Sequence, residues 1–159
     1  MFELKKKYSR VKRGILLVIV PSVLMLASVL KATETAVAYT HNDSKLKWGP
    51  CPSFIPKGCE IAVLHGDPAK RNTDIFFKVP ANFAIPHHWH TSAERMILLS
   101  GKLKVTYDNQ DTELLEPGTY AYGPSRLSHT AFCEKGEPCV LFIAFEEPID
   151  AFEVIKASQ

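Results

Sequence analysis

From Trp48 onward the apolar residues come in short runs, several of them alternating with polar positions, and no segment sustains a helical period. Alternation with period two sends successive side chains to opposite faces, so each run predicts a short strand. The runs cover 60–65, 74–79, 83–90, 94–100, 102–107, 112–115, 119–123, 127–133 and 140–145. A last run, 151–155, fits either an edge strand or a short helix. "HGDPAK", "VPAN", "DNQD" and "EPG" supply turns between them through the backbone preferences of Gly, Pro, Asn and Asp. Roughly nine or ten strands in about 110 residues predict an all-β domain that limits its open edges by closing into a sandwich or jelly-roll barrel.

The first 38 residues follow a different pattern. Lys5, Lys6, Lys7, Arg10, Lys12 and Arg13 lead into an almost unbroken apolar run from Gly14 to Leu30, and Ala36 and Ala38 then offer an A-x-A site. This is the layout of a signal peptide cut after Ala38. The alternative is an uncleaved anchor, although Pro21 interrupts the run and its length falls short of the ~20 residues that cross a bilayer comfortably. Both readings place the rest of the chain outside the cytoplasm: periplasmic or secreted in the first, tethered through residues 1–38 in the second. The polar stretch 39–47 predicts a flexible lead, and 48–159 a single domain.

Charge and cysteine count narrow the function. The leader holds 7 of the 19 basic and 2 of the 17 acidic residues, leaving 12 basic against 15 acidic beyond it. A mildly acidic domain has no electrostatic footprint for nucleic acid, which is not expected as a partner. Cys51, Cys59, Cys133 and Cys139 all lie in the part expected outside, where disulfides persist. Cys133 and Cys139 flank the turn "EKGEP", where a hairpin would oppose them, and Cys51 and Cys59 flank "PSFIPKG". Local pairs 51–59 and 133–139 are therefore expected, against the alternative of thiolate ligands, which the absence of CxxC spacing disfavours.

The candidate chemistry sits in "IPHHWHTSAE". On a strand His88 and His90 share a face and His87 takes the other, which makes His87 a surface or supporting residue. Glu94 opens the next run, so a hairpin would set a carboxylate opposite two imidazoles. A further nitrogen is available from His129 in "RLSHTAFC". Imidazoles with one carboxylate suit a divalent transition metal: Fe, Mn, Ni, Cu or Zn. Phe76, Met96, Leu98, Leu103, Val105, Tyr107, Leu141 and Ile143 are candidates to line an adjoining pocket, or are plain core. Tyr120, Tyr122 and Arg126 lie in a loop-rich stretch near His129, as candidates to reach a ligand's polar groups or as plain surface residues. No nucleophile elbow or phosphate loop is present.

The spacing His88-x-His90-x3-Glu94-x6-Gly101 resembles the first motif of the cupin superfamily, and Gly118-x5-Pro124 followed by His129 is similar to the second. The resemblance implies a cupin-type double-stranded β-helix, a mononuclear metal on His88, His90, Glu94 and His129, a small-molecule substrate or ligand, and commonly a homodimer. It leaves open oxidation, decarboxylation, isomerisation or lyase chemistry, with Glu94 the candidate base and Tyr107 or Tyr122 behind it. It equally leaves open a non-catalytic metal or ligand sensor or carrier. Three positions depart from the family pattern: Asn82 and Arg126 stand where glycine is usual, and Cys133 where asparagine is.

Overall fold

The computed structural model describes residues 34–155, so most of the expected signal segment lies outside it. The chain divides at Ala36 into two units, and the second, Val37–Gln159, holds every element below. Among the described residues no helix is long and apolar enough to cross a membrane.

Among the described residues eleven strands form: β1 Trp48–Pro50, β2 Glu60–His65, β3 Thr73–Val79, β4 Phe83–Trp89, β5 Glu94–Ser100, β6 Leu103–Tyr107, β7 Glu113–Leu115, β8 Tyr120–Gly123, β9 His129–Cys133, β10 Cys139–Phe145 and β11 Phe152–Glu153. They make two antiparallel sheets, ordered β1-β2-β3-β10-β5-β8 and β11-β4-β9-β6-β7. The run 151–155 is thus an edge strand, and β1 is an addition that the sequence pattern did not predict.

Only β1–β2–β3 and β6–β7 pair with their neighbours in sequence. Two expected hairpins are therefore corrected. β4 and β5 lie in different sheets, as do β9 and β10. The short links "TSA" and "EKGEP" step across the barrel instead of folding a strand back on itself. A link of a few residues is compatible with either course, and the choice rests on which sheet buries each strand's apolar face.

Alternation builds the interior. Along β5, Glu94, Met96 and Leu98 are buried while Arg95 and Ile97 are exposed. Ile75, Val79, Leu98 and Leu141 are the largest apolar side chains with essentially no exposure, and they join the two sheets in one core. Phe76 has the opposite parity to Ile75. With Ile97 and Phe142 it borders a groove on the outer face of the six-stranded sheet, along which residues 37–42 lie.

Both disulfides form, Cys51–Cys59 and Cys133–Cys139, with Cα separations of 5.5 and 5.8 Å. Cys133 ends β9 and Cys139 begins β10, so the second bond ties one sheet to the other. Gly101 makes room for it: φ is +79°, and a Cβ there would sit 2.9 Å from the Cys139 sulfur. Two disulfides fit an oxidising compartment outside the cytoplasm.

Candidate metal centre

The centre lies at one end of the barrel, where β4 and β9 meet. His88 pairs directly with His129, and Tyr107 pairs with His129 from the other side, so the three form one row across β4, β9 and β6. Glu94 faces them from β5 in the opposite sheet. It is flanked there by Gly123 and Phe145.

A β-bulge decides which side chains enter. Ile85 pairs with Ala131 and His88 with His129, so Pro86 and His87 together oppose Thr130. The extra residue reverses the alternation, and both Ile85 and His88 face the interior although they are three positions apart. Pro86 suits the bulge because it has no N–H to leave unpaired. Its carbonyl accepts a hydrogen bond from His88 Nδ1 at 2.7 Å. His87 turns outward to Asp108, Nε2 to Oδ1 2.9 Å.

All three inward imidazoles are held in the same way. Nδ1 of His88 bonds the carbonyl of Pro86, Nδ1 of His90 that of Asp150, and Nδ1 of His129 that of Leu127 at 3.2 Å. A carbonyl only accepts, so each Nδ1 carries the proton and each Nε2 of a neutral ring carries a lone pair. Backbone carbonyls are a common outer partner of metal-binding imidazoles. One ring nitrogen from each histidine lies within 4.8 Å of the others. The His88 and His129 ring centroids are 4.3 Å apart.

Glu94 completes the cluster, with Oε1 3.5 Å from His90 Nε2 and Oε2 4.0 Å from His129 Nε2. His88, Glu94 and His129 are 5%, 4% and 7% exposed. Burial, reinforced by the neighbouring imidazoles, depresses His88 to about 4 and His129 to about 3, so both rings are neutral at ordinary pH. Burial pushes the Glu94 carboxyl up, opposed by His90. Three inward imidazoles, two of them buried, beside a buried carboxylate make a donor set that fits a divalent transition metal.

Tyr107 is the remaining polar group. Its ring packs 4.8 Å from that of His129, and its buried hydroxyl has no hydrogen-bond partner. Burial and the nearby Glu94 charge both push its ionisation upward. Gly123 is what admits it: a Cβ there would stand 2.5 Å from the hydroxyl and 3.2 Å from Glu94 Oε2.

A cavity of about 140 Å³ adjoins the cluster. Met96, Leu103, Val105, Tyr107, Leu141 and Ile143 line it as expected, whereas Leu98 is plain core and Phe76 lies on the other face of β3. Tyr122 and Arg126 also lie outside the lining. Tyr122 is exposed, and the Arg126 guanidinium sits 5.8 Å from the Trp89 ring. Asn82 and Arg126 both keep a positive φ, 58° and 62°, so the turn geometry survives the loss of glycine. The Arg126 N–H then donates to the His90 carbonyl at 2.8 Å.

Sequence reasoning missed several contributors. Asp150 holds His90 through its carbonyl, and its carboxylate accepts from the Thr91 amide at 2.8 Å and from the Thr91 hydroxyl. Pro52 and Ile55, inside the Cys51–Cys59 loop, and Ile149 close the cavity from outside the central strands. No local periodicity marks these residues, and only the glycine before Pro124 could have drawn attention to position 123.

A two-sheet jelly-roll with three imidazoles and a carboxylate converging at one end defines a cupin. A family model described as the ChrR Cupin-like domain matches residues 36–147, and the chain belongs to that family. No curated protein sequence matches it. Among solved structures, the polyketide cyclase RemF from Streptomyces resistomycificus is similar at 21% identity and a TM-score of 0.62, covering 77% of this chain and 88% of that one. A cupin-2 domain protein from Rhodospirillum rubrum is similar at 11% identity and a TM-score of 0.62, covering 77% and 84%. The DMSP lyase DddQ from Ruegeria pomeroyi DSS-3 is similar at 15% identity and a TM-score of 0.59, covering 68% of this chain and 60% of the lyase. The chain thus spans about three fifths of the lyase it matches, and at these identities the likeness is one of fold.

Proposed function

We propose that the protein is an exported mononuclear-metal cupin enzyme acting on a small organic molecule, with His88, His90, Glu94 and His129 as the protein ligands. The observation that supports it most is the common orientation of three rings, each with Nδ1 on a backbone carbonyl and its other nitrogen turned to a shared buried point. The set suits Fe(II), Mn(II), Ni(II), Cu(II) or Zn(II). Such an ion supplies Lewis-acid or redox chemistry to an oxygen bound beside it. The chain itself supplies apolar walls that keep bulk water out, a Tyr107 hydroxyl free to bond a ligand, and a Glu94 carboxylate able to take a proton. Export and a homodimer, the latter common among cupins, belong to the same proposal.

Elemental analysis of protein purified without chelators, beside a His88→Ala/His90→Ala variant, tests the ligand set. About one metal per chain is expected in the first and under about a tenth of that in the second. Equal, substoichiometric metal in both would remove the assigned site. A second reading, a non-catalytic metal or small-ligand carrier, is favoured by the size of the cavity, which at about 140 Å³ lies below the ~300–1,000 Å³ expected of a pocket for a larger substrate. Product analysis after anaerobic and aerobic incubation of metal-loaded protein with small phenols and carboxylates separates the two: the enzyme reading expects a new compound, the carrier reading the unchanged ligand.

A further inference from the structure

The cavity beside the cluster is about 140 Å³. An apolar cavity of roughly 150 Å³ holds one benzene molecule, which fixes the scale of an occupant at roughly six to eight non-hydrogen atoms. Its wall is Ile75, Ile85, Leu103, Val105, Leu141 and Ile143, and among the described residues no lysine or arginine lines it. Asp150 reaches the lining with its carboxylate already engaged by Thr91. Free polar atoms are thus confined to one end, at the imidazoles, Glu94 and Tyr107.

Resting on the metal reading above, we infer that the ligand is a small, mainly apolar molecule with a single acidic oxygen group, phenol or carboxyl, which binds at the metal end while the rest of the molecule fills the apolar end. A divalent ion with three neutral imidazoles and one carboxylate carries one net positive charge, which one deprotonated oxygen neutralises. The Tyr107 hydroxyl, otherwise without a partner, donates to that oxygen. A second carboxylate, an ammonium group or a series of hydroxyls would lie against isoleucine, leucine and valine with no partner, and burying such groups is strongly unfavourable.

Calorimetric titration of the metal-loaded protein tests this with phenol and pentanoate against succinate and erythritol, molecules of similar size. Phenol and pentanoate are expected to bind at least about tenfold more tightly than the other two. Succinate or erythritol binding as tightly as pentanoate overturns the inference, as does failure of phenol and pentanoate to bind protein that holds its metal. Ala131→Leu and Val105→Phe fill the cavity from lining positions other than the four ligands. Either is expected to keep the metal and lose phenol, and a folded variant that still binds phenol refutes the cavity as the site. If neither folds, the wild-type titrations decide. If the wild type holds no metal, the ligand-set reading fails separately, and benzene is still expected to raise the Tm of the metal-free chain. No shift with benzene overturns the size argument as well.

Discussion

His88 and His129 face each other across the β4–β9 ladder, and each anchors its own ring on the carbonyl two residues before it, Pro86 and Leu127. The two strands present their imidazoles symmetrically to one point, while Glu94 arrives from the other sheet. Replacing either ring by Ala removes a lone pair from that point. Loss of an outer partner alone commonly lowers metal affinity roughly 10–100-fold, so His129→Ala is expected to weaken retention at least about 100-fold. Competition with a chromophoric chelator measures it, and an unchanged affinity would exclude His129 as a ligand.

The same burial fixes a pH dependence for the metal-free chain. His88 and His129 fall from 6.5 to about 4 and about 3. Above 6.5 both rings are neutral folded or unfolded, and their contribution is fully present. As the pH falls below 6.5 the unfolded chain takes up protons that the folded chain refuses, so stability drops, levelling off only once the folded rings protonate near 4 and 3. Glu94, raised by burial, acts in the opposite direction. Glu94→Gln isolates the histidine effect: its urea midpoint is expected to fall between pH 7 and pH 5, and a flat profile would contradict the buried neutral rings.

Gly123 and Tyr107 form a second testable pair. The hydroxyl of Tyr107 is buried without a partner, so Tyr107→Phe in the metal-free chain is expected to be neutral or to gain up to about 1–3 kcal/mol. Gly123→Ala drives a methyl against that hydroxyl and is expected to destabilise. The double variant recovers part of the loss, because the phenyl ring no longer carries the oxygen in the way. Chemical denaturation of all four proteins measures the coupling, and strict additivity would show that the two groups do not touch.

Removing the Cys133–Cys139 bond with paired Cys→Ala substitutions is expected to cost on the order of 2–3 kcal/mol, for a loop this short. Breaking Cys51–Cys59 frees the loop that carries Pro52 and Ile55, which close the cavity. Its loss should therefore speed ligand exchange more than the 133–139 loss does. Thermal unfolding and stopped-flow ligand exchange on the two variants separate the effects.

Much was legible from local pattern. Strand-scale alternation predicted nine of the eleven strands outright, with ends displaced by one or two residues, and left Phe152–Glu153 open between strand and helix. The cysteine pairs followed from short spacing. The common face of His88 and His90 was legible too, but the bulge that turns that face inward beside Ile85 was not. Strict alternation from Ile85 would have sent His87 inward, and only the pairing with β9 shows where the extra residue lies.

The sequence by itself determined the all-β class and marked two local cysteine pairs and four residues with metal-ligating chemistry as candidates, because these depend on residue type and on spacings of a few positions. Tertiary structure alone decided that β4 and β5, and likewise β9 and β10, belong to different sheets. It also decided that Phe76 faces outward with Tyr122 and Arg126 off the cavity, and that Asp150 and Gly123 stand around the cluster. Those outcomes depend on pairings between segments tens of residues apart. Such pairings are settled by the burial of whole strand faces together, which no local window of the chain contains.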